Sequence, residues 1–194
     1  YSVFSKFNTR RRDGGYESSM GAYFSDKPEA AGQIHGGVKS VMPVFLNLKK
    51  PFDVRGIDRK DIASYAKLGR DAEISIVSNG RVGKYATLEH LDKKYNLVPK
   101  LKKRGYDGIV FDDPIDGTTY VAFYPEQIKS AIGNKGTWSS ESGHINEALQ
   151  APVDNPAFKK WFKGSKITDA AGKPLLVYHG TMASFAEFDY EKLG

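Results

Sequence analysis

Pro174-Leu175-Leu176-Val177-Tyr178-His179-Gly180-Thr181 is the stretch from which the rest of the chain can be ordered. Its apolar run, with a β-branched Val and a Tyr, predicts a buried strand over 174–178 that stops at His179-Gly180-Thr181. Such a strand end offers a ligand floor. Glycine lets a flat ligand lie against bare backbone, and the imidazole beside it can hydrogen-bond a hydroxyl. A histidine there serves equally well as a cap or a satisfied core residue, so the rest of the chain must decide.

At 194 residues the chain fits one domain with a sizeable core. It has no cysteine, which excludes disulfides and thiolate chemistry. No apolar run approaches the roughly 20 residues of a membrane span, and Tyr1-Ser2-Val3-Phe4 lacks the pattern of a signal peptide. The expectation is a soluble, cytoplasmic protein with no membrane partner. The formal charge is +6, with clusters at 10–12, 49–50, 93–94, 100–104 and 159–160. These can meet a polyanion, a dinucleotide's phosphates included. They also fit the solvated faces of helices, since no single dense basic stripe is present.

Gly21-Ala22-Tyr23-Phe24-Ser25 predicts a strand whose two aromatics point to opposite faces. Asp26 and Pro28 then open a helix as N-cap and first-turn residue. Val41 to Leu48 reads as a strand, Asp58 to Leu68 as a helix, and Ala72 to Val77 as a short strand or irregular segment. Helices follow around Leu88 to Tyr95 and Val98 to Arg104. Gly108 to Phe111 and Tyr120 to Phe123 predict paired strands about a turn from Asp112 to Gly117. Residues 133–154 read as a linker, and Pro156 to Phe162 as a helix. Without regular βαβ alternation this is an α+β pattern. Ser78 to Tyr85 only loosely resembles a phosphate loop. It lacks the first glycine and the hydroxyl residue after Lys84, and no serine-hydrolase or zinc motif occurs, so no metal site is expected.

Five segments together resemble the ADP-ribosyltransferase superfamily of the His-Tyr-Glu type, the lineage of diphtheria toxin and poly(ADP-ribose) polymerase. They are His179-Gly180-Thr181, the 21–31 segment from Gly21-x-Tyr23-Phe24-Ser25 to Ala31, the 43–53 segment from Pro43 to Asp53, Gly105 to Phe111, and the 120–131 segment from Tyr120 to Ala131. The likeness is greatest to versions in phage and mobile-element polyproteins, some of them toxin-like. It implies a split β-sandwich with flanking helices and an NAD cleft between its two small sheets.

In the family the His-Gly-Thr strand comes first, whereas here it follows Tyr23 by about 160 residues. Phe4-x-x-Phe7 is similar to Phe185-x-x-Phe188, the segment expected after His-Gly-Thr, and Tyr1 aligns with Met182. A circular permutation or a slice through tandem copies would give this order. The expected organisation is a main body at 1–136, a linker at 137–154, and a segment at 155–194 completing this domain or, by strand swapping, a neighbouring copy. In the first case the His179 strand fills the interior slot of the sheet, and Phe4 and Phe7 outcompete Phe185 and Phe188 for one groove.

The resemblance implies that His179 bonds an NAD ribose hydroxyl, that Gly180 and Thr181 hold nicotinamide with the backbone at Gly180, that Tyr23 stacks on its ring, and that Ser25 assists at a ribose. Ile34 and His35 stand where a second stacking tyrosine belongs. Thr119 stands at the position of the catalytic glutamate, keeping a hydrogen bond but no charge. Asp116 is the nearby carboxylate that could replace it, while Glu126 lies about 23 Å along an extended strand, at roughly 3.3 Å per residue. Tyr23, His179 and Thr119 also have ordinary roles open to them, as strand aromatic, cap and β-former. The implied activity is mono-ADP-ribosyl transfer from NAD, as substrate, to a protein first and a nucleic acid second. The alternative is a non-catalytic module that binds NAD or a polyanion.

Overall fold

The computed structural model describes residues 20–33, 40–78, 83–114, 116–131 and 153–181. Tyr1, Phe4, Phe7, Ile34, His35, Met182, Phe185, Phe188 and most of the 133–154 linker lie outside them. The elements in chain order are β1 (Ala22–Ser25), α1 (Pro28–Gln33), β2 (Ser40–Leu46), β3 (Pro51–Asp53), α2 (Ile62–Tyr65), α3 (Arg70–Ser78), α4 (Lys84–Tyr95), α5 (Leu97–Lys103), β4 (Gly108–Asp113), β5 (Gly117–Ala122), β6 (Ile128–Ser130), α6 (Pro156–Phe162) and β7 (Val177–Thr181).

These strands form one mixed sheet in the order β3-β4-β5-β1-β7-β2-β6. β3 and β4 run parallel, and the other neighbours antiparallel. The His179 strand thus lies inside the sheet of its own chain, where it pairs with β2 over five residues, from Ser40↔Thr181 to Val44↔Val177. Its other edge meets β1 at one pair, Ser25↔Tyr178. The expectation of two separate small sheets is therefore met by a continuous one. Its halves, β3-β4-β5-β1 and β7-β2-β6, join at a single-residue seam because β7 gives the edge of β1 a partner.

Alternation along the strands feeds two cores. Ile109, Phe111, Val121 and Phe123 pack with Ile62, Ile76, Leu88, Leu91, Leu97 and Leu101 of the helices. Phe24, Val44, Leu46, Val110, Tyr120 and Val177 form the core on the other face. Val177 is fully buried, a contribution of about 2 kcal/mol.

Three local expectations are corrected. Residues 72–77 belong to helix α3: Ala72 and Ile76, four apart, are both fully buried, while Ile74 and Val77 are exposed and so disguise the helical period as strand-like. The last strand begins three residues late. Leu175 N–H instead bonds Ile167 C=O and Pro174 bridges Thr168, which keeps 174–176 out of the sheet and carries the strand through His179 and Gly180. α1 starts at Pro28, so Lys27 precedes it, and Asp26 Oδ1 instead accepts the Thr118 amide across the sheet at 3.0 Å.

Candidate active site

β1 carries Tyr23 half-buried against the helical core and Phe24 buried in the other core, as alternation requires. Gly21 enters the strand at φ +152°, and a Cβ there would collide with the Ala122 carbonyl, so only glycine lets β1 lie this close to β5. The Tyr23 ring meets Tyr85 edge-on, with centroids 5.7 Å apart and planes at 66°. Tyr85 stands in the first turn of α4. The turn is pinned to the sheet by Lys84, whose Nζ donates to Asp112 Oδ1 at 2.5 Å and to the Val54 carbonyl at 3.0 Å. Sequence reasoning missed Tyr85 as a site residue. Its one signal was an aromatic beside Gly83-Lys84, which the loose phosphate-loop pattern obscured.

His179 lies against Phe24, ring centroids 5.4 Å apart, and thus on the face of β1 opposite Tyr23. Its Nδ1 reaches across the seam to the Tyr23 carbonyl at 2.8 Å. A carbonyl only accepts, so Nδ1 carries the proton, and in the neutral ring Nε2 is the acceptor nitrogen. The hydrogen bond falls just beyond the last ladder pair, where the two strands part.

Across the sheet, Ser25 and Thr119 are directly paired. The Ser25 hydroxyl donates to the Asp116 carbonyl at 2.6 Å and accepts from Lys27 N–H at 2.9 Å. Its one proton is committed, so towards a ligand it can only accept. Thr119 is 7% exposed, and its Oγ1 has no hydrogen-bond partner among the described residues. A buried hydroxyl left this way costs about 1–3 kcal/mol.

The hairpin turn before Thr119 holds Asp116, whose amide donates to Asp113 Oδ1 at 3.1 Å. Burial, helped by the charge of Asp113 and opposed by Lys27, raises the Asp116 carboxyl above its ordinary range. Asp112 goes the other way: the Lys84 ammonium bonded to it holds its carboxyl low. Gly117 turns the chain at φ +74°, and a Cβ there would strike the Asp26 carboxylate and the Lys27 side chain. Only glycine brings the hairpin close enough for the Ser25–Asp116 bond.

The fold therefore brings Tyr23, Ser25, Asp116, Thr119 and His179 to the region around β1, with Gly180 paired to Val41 and Thr181 to Ser40 in β7. Glu126 is at the far end of β5, where its carbonyl accepts from Trp161 Nε1. Among the described residues no cluster of three His, Cys, Asp or Glu side chains is arranged to hold a metal ion, and no helix is long and apolar enough to cross a membrane.

The mixed sheet flanked by helices is consistent with an ADP-ribosyltransferase-like fold. The sequence model of the family described as ADP-ribosyltransferase in polyvalent proteins matches residues 1–138, and the chain belongs to that family. No curated protein and no solved structure matches the chain.

Proposed function

We propose that the domain is an NAD-dependent mono-ADP-ribosyltransferase whose catalytic carboxylate has moved from the strand to the turn before it. The observation that carries this reading is the buried Thr119 hydroxyl, without a partner among the described residues and one strand from Ser25. A ribose that reaches this buried oxygen gives it the partner it lacks, as donor or acceptor. His179 Nε2 offers an acceptor to a second ribose hydroxyl, and backbone at Gly180 meets the carboxamide, on one face of β1. The corner between Tyr23 and Tyr85 offers the nicotinamide ring its place on the other, so a nicotinamide riboside must pass through the seam to meet both. The single-pair seam gives the cleft its opening.

In the transfer, the bond between C1′ of the ribose and the nicotinamide nitrogen breaks with its electron pair going to nicotinamide. The acceptor's nucleophilic atom bonds C1′ and loses its proton to a base. Positive charge builds on the ribose between these events, and a carboxylate nearby stabilises it. Thr119 cannot do this. Asp116 can, being in the turn whose carbonyl already bonds Ser25. A protein acceptor is the first choice and a nucleic acid the second.

Nicotinamide release from NAD by the full chain tests the assignment. Asp116→Asn should lower the rate about 100-fold, the scale of one electrostatic group aimed at the transition state, and Thr119→Glu should raise it. If release is absent in the parent and in Thr119→Glu while calorimetry shows NAD bound, the domain is a binding module. If NAD does not bind either, the site assignment fails.

A further inference from the structure

We propose that the end of the sheet remote from Thr119 is a nucleic-acid backbone-binding surface, built from the loops 47–51, 103–107, 123–127 and 163–166. The surface is independent of the NAD reading. Hydrogen bonds lock these loops to one another. Asp107 accepts from Lys49 N–H at 2.6 Å and Lys50 N–H at 3.0 Å, and its carbonyl accepts from Gln127 Nε2 at 2.9 Å. Asn47 N–H bonds the Gln127 carbonyl at 2.8 Å, and Lys166 N–H bonds the Leu48 carbonyl at 2.6 Å.

These four loops carry six cations, Lys49, Lys50, Lys103, Arg104, Lys163 and Lys166, against two carboxylates, Asp107 and Glu126. The locking bonds turn both oxygens of Asp107 inward onto amides, so they compete little with an incoming anion. Among the described residues none of the six cations is in an ion pair. The loops thus hold a local excess of four positive charges out of the +6 of the whole chain, on a backbone fixed by these bonds.

The ring contacts narrow the partner. Lys50 Nζ and the Arg104 guanidinium lie over Tyr106, 5.0 and 5.3 Å from its centroid, and Lys102 lies 4.8 Å over Tyr124. Cations held beside tyrosines suit a chain of phosphates, and Tyr124 adds an exposed ring at which a base can pack. An anionic membrane would call for exposed apolar side chains beside the charge, and in these loops Tyr124 is the one large exposed example.

The test is fluorescence anisotropy with a labelled single-stranded DNA oligonucleotide, titrated by the full chain between about 50 and 200 mM salt. The parent should bind with an affinity that falls steeply with salt. Lys49→Glu/Lys103→Glu should weaken binding about tenfold or more and lower the salt slope by about 1.4, at about 0.7 per phosphate contact on a single strand. Lys60→Glu/Lys173→Glu, an equal charge change elsewhere on the exposed surface, should stay within about twofold of the parent. Thermal melts establish that each variant is folded, and Lys49→Gln/Lys103→Gln replaces the reversal pair if it is not. No binding at the lowest salt overturns the proposal, as does equal loss in both pairs, which would mean diffuse charge. Displacement of the oligonucleotide by an equal charge concentration of polyglutamate would reassign the surface to an acidic protein and also overturn it.

Discussion

At one end of the sheet Asp107 gives both carboxylate oxygens to the amides of Lys49 and Lys50, while at the other Thr119 keeps a buried hydroxyl with no partner among the described residues. The contrast extends to the neighbours. Around Asp107 the main-chain groups of four loops are cross-linked, and six cations surround them, Lys50 bonded to the Arg104 carbonyl and Arg104 to the Ala66 carbonyl. Around Thr119 the chain is bent tightly at Gly117, and a carboxyl is pushed towards its neutral form at Asp116. The Asp107 end also holds a buried oxygen without a partner among the described residues, Asn47 Oδ1, but its loop amides are cross-linked and it presents charge. An end that retains an unsatisfied donor and a perturbed acid has groups to offer a ligand, at some expense in stability.

Removing one polar group from each end separates the two cases. Asp107→Ala should cost about 2 kcal/mol, because it leaves two loop amides without their charged acceptor, and Asp107→Asn should cost about half of that. Thr119→Val, which keeps the shape and deletes the orphaned hydroxyl, should stabilise the free protein by about 1 kcal/mol while abolishing any gain in stability from added NAD. Urea unfolding of the three variants measures both signs. Destabilisation by Thr119→Val would show that its hydroxyl has a structural partner, and the contrast between the ends would vanish.

The smallest effect is a pH dependence within the hairpin of the candidate site. Burial raises the Asp116 carboxyl in the folded state, so the fold holds that proton more tightly than the unfolded chain does. Its contribution is therefore most favourable in acid and is lost as pH rises from the ordinary value of 3.8 through the raised one. Asp112, held low by Lys84, contributes above 3.8 and loses that contribution as pH falls through its lowered value. Melting temperatures between about pH 3 and 7 should show Asp116→Asn gaining on the parent as pH rises, and Asp112→Asn losing ground over the same direction. Parallel trends would mean that the two carboxyls share one environment.

How far the sequence could be read depended on whether a signal was local. The Pro156–Phe162 helix, the Gly108 and Tyr120 strands and the opposite facing of Tyr23 and Phe24 follow from periodicity and from glycine and proline placement over a few residues. α3 was misread because two of its apolar residues face solvent, so the composition of the segment misrepresented its burial. The last strand was read three residues early because the apolar run at 174–176 is occupied by a contact with Ile167, which no local pattern records.

The sequence by itself determined the ingredients of the site: a His-Gly-Thr strand end, a Gly-x-Tyr-Phe-Ser strand, and a threonine at the head of the strand before Tyr120. Backbone preferences and side-chain alternation act over neighbouring residues, so they are written in order along the chain. Tertiary structure alone decided that Tyr85 would meet Tyr23, that Ser25 would reach the carbonyl of Asp116, and that cations scattered over four loops would collect at one end. Each of these joins residues dozens of positions apart, and they meet because the edges of the strands must find hydrogen-bond partners and their apolar faces must leave water, conditions that only the assembled sheet satisfies.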